Sequence, residues 1–123
     1  METSRKRLGN LGEDLACDYL TGIGHTILER NWRSGHLEID IISMDSSGLH
    51  FVEVKSRTAP VSADPEENVT RDKQRKITDA ALKYLKSGHF GDKEVFFDIV
   101  AVVFNKDITD ITYYKQAYIP TYV

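Results

Sequence analysis

Cysteine is almost absent from this chain of 123 residues, since Cys17 is the only one. A disulfide within the chain needs two cysteines, as does a multi-cysteine zinc site, so the sequence excludes both. A chain without disulfides fits a reducing compartment, and we expect a cytoplasmic protein. Cys17 itself is predicted to pack in the core rather than to react.

Long apolar runs are also lacking. No stretch of about 18 apolar residues, the length that a membrane-spanning helix needs, occurs in the sequence. Residues 1–7 are polar and basic, and no apolar core of a secretion signal follows them. We therefore expect neither membrane insertion nor secretion.

An excess of positive charge is missing as well, because 16 lysines and arginines stand against 19 acids, for a net charge of -3. That balance does not suggest a protein held on nucleic acid by bulk charge. Basic residues are nevertheless concentrated at Arg5–Arg7 and within residues 69–76. The predicted phosphate-contacting surface consists of the second cluster and one further arginine: Arg57, Arg71, Lys73, Arg75 and Lys76.

What the chain does contain is a globular composition, with 41% hydrophobic and 28% charged residues, over a length that suits one domain, 1–123. Hydrophobic spacing and turn residues predict an α/β class in the order α-β-β-β-α-β-β. The helices are predicted over 4–21 and 70–86, and the strands over 25–33, 37–44, 49–56, 95–104 and 111–118. A long loop is predicted over 57–69.

Buried faces are predicted for these elements. In the first helix, apolar residues recur at helical spacing: Leu8, Leu11, Leu15 and Tyr19. In the second, Thr70 is predicted to cap the start, and the residues expected to point inward are Ile77, Ala81 and either Tyr84 or Leu85. The strand over 95–104 is nearly all apolar and should be buried on both faces, with Asp98 as its one interruption.

The strands over 37–44 and 49–56 are joined by the turn sequence of residues 45–48 and predict a hairpin. If the turn is symmetric, Asp40 lies opposite Glu53 and Glu38 lies opposite Lys55. Side chains alternate along a strand, so these four share one face of the sheet. The opposite face is expected to be apolar core: Ile39, Ile41, Val52 and Val54.

Two carboxylates directly opposite on adjacent strands repel each other and cost stability. A divalent cation would compensate, because Mg²⁺ is usually held by one or two carboxylates together with water and phosphate oxygens. Lys55 beside such a site could steady a phosphate or a water nucleophile. The alternative is that Lys55 and Glu38 simply neutralise the two acids on a solvated face.

Two further charged residues are predicted to face protein. Glu13 stands on a semi-apolar stripe of the first helix, formed with Ala16, Cys17 and Leu20. A capping pair between Glu13 and Asn10 is the alternative. Lys73 precedes Ile77 by one helical turn and is predicted to point toward the core side, the alternative being a solvated lysine.

The four histidines give no sign of a site. His50 falls on the face away from the carboxylates and is interpreted as structural, and His25, His36 and His89 show no ligand spacing. This weakens a zinc nuclease with His and Cys ligands and a Ser-His-Asp hydrolase. The aromatic residues are interpreted first as packing residues or as an interface: Trp32, Tyr113, Tyr114 and Tyr118.

Several motifs stand in order along the chain: Gly12-Glu13-Asp14-Leu15-Ala16, Arg30-Asn31-Trp32-Arg33, Glu38-Ile39-Asp40, Phe51-Val52-Glu53-Val54-Lys55-Ser56-Arg57 and Phe97-Asp98-Ile99-Val100. Over almost the whole chain they resemble the YraN-type family of small uncharacterised bacterial proteins. That family is similar to archaeal Holliday junction resolvases and to the wider PD-(D/E)XK nuclease superfamily. The resemblance implies a restriction-endonuclease-like core, with helices flanking a mixed central sheet.

The resemblance also implies residue roles. Glu13 corresponds to the acid of the first helix, Asp40 to the hairpin aspartate, and Glu53-Val54-Lys55 to the E-x-K segment of the nuclease signature. On this reading Asp40, Glu53 and the Val54 carbonyl hold Mg²⁺ or Mn²⁺. Lys55 orients or activates water, and Glu13 binds a second ion or aligns the ligands.

The sequence departs from the family pattern at two positions. Ile39 stands where the signature has a proline before its aspartate, and Phe96 stands where the family has the arginine of an R-F-D motif. With that arginine replaced, Asp98 is left without an implied role. Its strand is then expected to bury it as a hydrogen-bonded acid.

The sequence thus predicts a metal-dependent endonuclease that hydrolyses DNA phosphodiesters, with branched or flapped DNA among the candidate substrates. A homodimer is also predicted, because the resolvases that it resembles work in pairs and the tyrosine-rich C-terminal strand offers an apolar surface. One alternative is a non-catalytic module that binds nucleic acid or protein and has kept the fold. Another is a metal-free acid/base hydrolase, which the adjacent Lys55 disfavours.

Overall fold

The computed structural model describes residues 4–60 and 69–120. Its elements are α1 (Ser4–Gly22), β1 (Thr26–Ser34), β2 (Leu37–Asp45), β3 (Gly48–Thr58), α2 (Arg71–Ser87), β4 (Val95–Asn105) and β5 (Ile108–Tyr114). The predicted α/β class and element order are confirmed. Of the loop predicted over 57–69, the stretch 61–68 lies outside the described residues, and β3 continues to Thr58.

The five strands form one mixed sheet in the order β1-β2-β3-β4-β5. All neighbouring pairs are antiparallel except β3 and β4, which run parallel. A parallel pair needs a crossover connection rather than a tight turn, and α2 lies in that connection. β4 lies inside the sheet, between β3 and β5, and is buried along most of its length, which confirms the prediction from its apolar run.

Two apolar clusters show that α1 and α2 contribute to separate cores. Ile77, Ala80, Ala81 and Tyr84 of α2 pack with Ile42, Leu49, Phe51 and Phe97 of the sheet, and Trp32 covers this cluster. Ala16, Cys17 and Leu20 of α1 pack with Ile41, Val52, Val100 and Val102. The sheet therefore has a buried apolar layer beneath each helix. The inward residues predicted for α2, its Thr70 cap, and the packing roles of Cys17 and Trp32 are confirmed.

The buried face of α1 differs from the stripe predicted by leucine spacing. Leu11 is 46% exposed, whereas Gly12, Ala16 and Leu20 are buried. The helix presents its small residues to β3 and β4 because this lets its backbone approach the sheet closely. The semi-apolar stripe that carries Glu13 is therefore the one that faces protein.

The hairpin between β2 and β3 has the predicted register from Asp45–Gly48 to Ile41–Val52. Its turn is closed by the Asp45 carboxylate, which accepts the backbone N–H groups of Ser47 at 2.9 Å and Gly48 at 3.2 Å. An aspartate that accepts hydrogen bonds from the backbone of its own turn in this way sets the register of the two strands. The pairing does not continue to Glu38 and Lys55.

Beyond Ile41 the alternation of side chains changes, so the expectation that Ile39 and Ile41 share a face is wrong. Ile41 packs in the α1 cluster, while Ile39 packs in the α2 cluster. The neighbouring strand changes at the same level, since Asn31 has a φ of 50°. This left-handed residue interrupts the pleat of β1. Asp40 thus lies just beyond the end of the regular pairing between β2 and β3.

The last strand begins earlier than predicted, at Ile108 rather than Ile111, and ends at Tyr114 rather than Tyr118. A tight turn allows this early start, because Lys106 adopts a φ of 51° directly after β4. After β5 the chain leaves the sheet edge, and the ring of Tyr118 lies against Phe97.

Neither helix in the described part of the chain is long and apolar enough to cross a membrane.

The close approach of α1 to the sheet predicts opposite effects at two glycines of that helix. A Cβ on Gly12 would overlap Ser56 Oγ and lie 3.1 Å from Ser56 Cβ, whereas a Cβ on Gly9 meets nothing within 4 Å. We expect Gly12→Ala to lower the free energy of unfolding by about 1–3 kcal/mol through overpacking. Gly9→Ala should raise it by about 0.5–1 kcal/mol through helix propensity. Urea unfolding of both variants tests this, and equal effects would contradict the close approach.

Candidate functional site

A cleft of about 790 Å³ opens between the first half of α1 and the strands β2 and β3. Among the residues that line it are five predicted site residues: Glu13, Asp40, Glu53, Val54 and Arg57. They come from α1 and from the two strands of the β2–β3 hairpin. The structure therefore brings together the acids that the hairpin register and the α1 stripe indicated separately.

Asp40 and Glu53 form the centre of the cleft. Glu53 is only 8% exposed, and the Asp40 carboxylate accepts the backbone N–H of Val54 at 2.8 Å. Burial and the negative charge of Asp40 raise the pKa of Glu53 to about 7. Burial also raises the pKa of Asp40, although the Val54 hydrogen bond opposes this. Two acids with raised pKa values side by side indicate a site short of positive charge.

Glu13 enters the cleft from α1. Its Oε1 atom is buried and has no hydrogen-bond partner among the described residues. Burial and the charge of Asp40 raise the pKa of Glu13, while Arg30 lowers it. The capping alternative is disfavoured because α1 begins at Ser4, which leaves Asn10 inside the helix rather than at its start.

Two lysines approach the Glu53 carboxylate from different elements. Lys55 Nζ lies 3.7 Å from Glu53 Oε1, and Lys73 Nζ, from the first turn of α2, lies 3.8 Å from the same atom. Lys55 was predicted beside the acids. Lys73 was predicted as a phosphate contact and to point toward the core side of its helix, but its approach to Glu53 was not predicted. Glu38 does not join this group as predicted, because its carboxylate pairs with Arg33 at 3.5 Å.

The other predicted phosphate contacts are spread over the surface. Arg57 lines the cleft and is exposed. Arg71 and Arg75, at the start of α2, are also exposed. Lys76 is partly neutralised by Asp72, at 3.3 Å. Arg5, from the basic N-terminal cluster, also lines the cleft.

The donor set of the cleft fits a hard divalent cation. Asp40, Glu53 and Glu13 supply carboxylate oxygens, and Val54 lines the same space. Mg²⁺ and Mn²⁺ prefer oxygen ligands of this kind. The buried Glu13 oxygen without a partner is a further observation in favour of such an ion, since a buried unsatisfied acceptor costs free energy.

A second polar cluster was not found from the sequence. His25, Asp45 and His50 each offer one ligand atom, and these atoms lie within 4.8 Å of one another. Spacing along the chain could not reveal this, because His25 follows α1 while Asp45 and His50 flank the hairpin turn. The confirmed register gives a partial signal, since it places His50 opposite Ser43, which bonds to His25.

Asp98 completes this second cluster as the buried, hydrogen-bonded acid that was expected. It is fully buried and accepts hydrogen bonds from His50 Nδ1 at 2.6 Å, from the Tyr113 hydroxyl and from the Gln116 N–H at 2.8 Å. Phe96, at the position of the family arginine, stacks on His50 with ring centroids 4.9 Å apart. The His50 ring is thus restrained by its hydrogen bond to Asp98 and by stacking on Phe96, and it does not line the cleft.

Hydrogen bonding controls the charges in this cluster. Burial lowers the pKa of His50, but its bonds to Asp98 and Asp45 prevail and raise it. Burial likewise tends to raise the pKa of Asp45, but hydrogen bonds from Ser47 and His50 hold it well below its usual range.

Comparison with known proteins gives the family. The model of the uncharacterised protein family UPF0102 matches residues 12–102. The chain belongs to the UPF0102 family. This confirms the resemblance to the YraN-type proteins on which the site residues were assigned.

Relatives at similar identity occur in several bacteria. A UPF0102 protein of Desulforamulus reducens is 40% identical over 121 residues, covering 95% of this chain and 99% of the relative. One of Clostridium kluyveri is 39% identical, covering 96% and 98%. One of Oleidesulfovibrio alaskensis is 45% identical over 94 residues, and this chain spans less than half of that relative, 46%.

A solved structure with a distant likeness is that of Pyrococcus furiosus SfsA in complex with Ca²⁺. The sequence identity is 17% and the TM-score 0.35, with 90% of this chain and 63% of that chain covered. At this distance the likeness assigns no function.

The raised pKa of Glu53 predicts a pH dependence of stability. Between pH 4.5, the ordinary pKa of a glutamate, and about pH 7, the raised pKa of Glu53, the folded state binds the Glu53 proton more tightly than the unfolded state does. The free energy of unfolding of the wild type therefore loses this contribution as pH rises through that window. Glu53→Gln cannot titrate, so its stability relative to the wild type should increase from about pH 5 to about pH 8.

Urea unfolding at each pH, with a chelator present, measures this difference. The matched control is Glu94→Gln, because Glu94 is an exposed glutamate outside the cleft. A constant difference between Glu53→Gln and the wild type would contradict the raised pKa.

Proposed function

We propose that this chain is a metal-dependent endonuclease that hydrolyses DNA phosphodiesters. The observation that supports it most is the meeting of Asp40, Glu53 and the unpartnered Glu13 oxygen in one cleft. Carboxylates crowded in this way are costly without a cation. Their order along the chain also matches the nuclease signature that the family resemblance implies.

Asp40, Glu53 and the Val54 carbonyl would hold Mg²⁺ or Mn²⁺, and Glu13 would bind a second ion or align these ligands. Such an ion supplies Lewis acidity and lowers the pKa of bound water. Asp40 is held in place by the Val54 N–H, so its orientation does not depend on the ion. Glu53 is fixed by the surrounding strand.

Lys55 would orient or activate the attacking water. Its ammonium lies 3.7 Å from Glu53, and its side chain is only 17% exposed, so it is restrained near the acids. Lys73 lies at a similar distance but is 43% exposed. Lys73 is therefore better suited to contact a phosphate that enters from the solvent side.

DNA is the proposed substrate, with branched or flapped forms as candidates. Arg5 and Arg57 line the cleft, and Arg71 and Arg75 are exposed on the first turns of α2, close in sequence to Lys73. Arginine and lysine side chains recognise phosphates through charge-assisted hydrogen bonds. The net charge of -3 then requires binding to depend on this local surface.

The deciding experiment measures cleavage of labelled linear, flapped and four-way DNA with Mg²⁺ or Mn²⁺. Wild-type protein should cleave at least one of these, and Asp40→Asn should reduce the rate by at least about a hundredfold through loss of a ligand. The matched control is Asp79→Asn, because Asp79 is an exposed aspartate of α2. Binding of DNA without cleavage would favour the non-catalytic module instead.

The Asp40→Asn variant should also change the free energy of unfolding and the response of the melting temperature to metal. Removing one charge relieves the repulsion of Glu53, so stability in chelator should be kept or raised by about 0.2–1 kcal/mol. The rise in melting temperature that Mn²⁺ or Mg²⁺ gives to the wild type should shrink or vanish. A destabilised variant, together with a wild type that does not respond to either ion, would remove the reason for assigning a metal.

The salt dependence of DNA binding tests the surface at the start of α2. Neutralising Arg71 and Arg75 together with glutamine should weaken binding and lower the slope of log affinity against log salt by about 1–2. The control neutralises Lys83 and Lys86, exposed near the opposite end of α2. An unchanged slope in the Arg71 and Arg75 variant would rule out this surface.

We also propose that the chain forms a homodimer through the edge of the sheet. β5 is an edge strand, and Ile108 on it is 63% exposed. An exposed edge strand is a template for pairing with a second chain. Light scattering at micromolar concentration should give twice the 14.0 kDa of one chain, and the mass of a single chain would contradict the dimer.

A further inference from the structure

We infer that His25, Asp45 and His50 form a binding site for a first-row transition-metal dication of the zinc class, separate from the cleft. None of the three is among the residues that line the cleft. The inference rests on their own geometry and does not depend on the proposed nuclease activity.

The three side chains already point at a common centre. Asp45 lies between the two histidines, with Oδ1 2.8 Å from His50 Nε2 and Oδ2 3.4 Å from His25 Nε2. The two imidazole rings are stacked at a tilt with centroids 4.5 Å apart. Tetrahedral zinc with bonds of about 2.0–2.1 Å needs ligand atoms about 3.3 Å apart, so only a small movement closes the site.

The second nitrogen of each histidine has a dedicated partner. His50 Nδ1 lies 2.6 Å from Asp98, and His25 Nδ1 lies 2.8 Å from the hydroxyl of Ser43. Hydrogen bonds of this kind orient metal-binding imidazoles. The Asp98 carboxylate can only accept, so it places a proton on His50 Nδ1 and assigns Nε2 to the ion, while the Ser43 hydroxyl can either donate to His25 Nδ1 or accept from it. Asp98 is itself fixed by Tyr113 and by the N–H of Gln116. The outer shell of a metal site is therefore present and buried.

The chemical class of the ion follows from the donors. Two imidazoles and one carboxylate suit Zn²⁺, Co²⁺ or Ni²⁺, whereas Mg²⁺ and Ca²⁺ prefer oxygen ligands throughout. A proton on His50 Nε2 makes the 2.8 Å bond to Asp45, and the binding ion would displace that proton to solvent. Asp45 is 19% exposed in its side chain, which gives the ion a route from the hairpin turn.

A Ser-His-Asp arrangement is the competing interpretation of the same atoms, since Ser47 Oγ lies 3.3 Å from His50 Nε2. Asp45 Oδ1 accepts both the Ser47 hydroxyl, at 2.6 Å, and His50 Nε2, at 2.8 Å. Nε2 therefore carries the proton that it donates to Asp45 and has no free lone pair with which to accept the hydroxyl proton, as a general base requires. The geometry favours a ligand role for His50.

One cation lies at the rim. Lys115 Nζ donates to Ser47 Oγ at 3.2 Å and lies over the Phe96 ring. Its charge opposes a bound dication, while Asp45 and Asp98 attract one. We therefore expect Lys115→Gln to tighten metal binding.

Visible absorption of Co²⁺, a spectroscopic substitute for Zn²⁺, tests the site in the full chain after treatment with chelator. In the wild type, the intense visible absorption of four-coordinate Co²⁺ should appear and saturate at one Co²⁺ per chain, and Zn²⁺ should abolish it. His25→Gln and Asp45→Asn should weaken Co²⁺ binding at least tenfold. Ser43→Ala, which keeps all three ligands, should weaken it by roughly 10–100-fold.

The matched controls are His36→Gln and His89→Gln, because both histidines are exposed and outside the cluster. Both should bind Co²⁺ as the wild type does. Loss of binding in Asp40→Asn but not in His25→Gln would place the ion in the cleft and overturn the inference. So would a wild type that binds no Co²⁺.

X-ray absorption at the zinc edge of the wild type makes the test independent of whether a variant folds. Two imidazole ligands per zinc support the site, whereas one or none overturns it.

Discussion

The side-by-side carboxylates of Asp40 and Glu53 are the interaction on which the cleft depends. In a regular antiparallel ladder these two side chains would repel each other on a half-buried face, at a cost to folding. The sheet instead breaks at this level. The Asp40 carboxylate accepts a hydrogen bond from the N–H of Val54. At the same level of the neighbouring strand β1, Asn31 adopts a left-handed φ. A backbone irregularity thus gives one acid a hydrogen bond while keeping it beside the other.

The rest of the cleft can be understood as a response to that negative charge. Lys55 and Lys73 reach Glu53 from β3 and α2, and Glu13 adds a further acid from α1. Two partly exposed ammonium groups do not neutralise three acids, as the raised pKa values of all three show. A site that only had to fold would gain stability by losing an acid. The crowding of these three acids is therefore the ground for proposing a bound cation in the cleft.

Much of this could be predicted from the sequence, because the relevant patterns are local. The turn residues at 45–48 set the hairpin register, and the register placed Asp40 near Glu53. The change of face between Ile39 and Ile41 could not be predicted, because backbone irregularities at this level, such as the positive φ at Asn31, leave no trace in the hydrophobic pattern. The approach of Lys73 to Glu53 depends on how α2 docks, which no periodicity within the helix specifies.

The histidine cluster was missed for a related reason. His25 is brought to the hairpin by the end of α1, where its N–H bonds to the Leu20 carbonyl at 2.9 Å. This closure positions the imidazole against a strand that is far along the chain. Spacing rules detect ligands that share one element, and these ligands come from three different segments.

One hairpin therefore serves two polar sites of different chemistry. At its open end Asp40 and Glu53 offer oxygen atoms only, and at its turn Asp45 and His50 offer nitrogen as well. The ladder between them, from Ile41–Val52 to Asp45–Gly48, is regular and lies between two apolar cores. Because hard and borderline cations prefer different donors, the two ends would select different ions from the same solution. An ion at the turn would tie β1 to the hairpin, and so support the strand whose irregularity shapes the cleft.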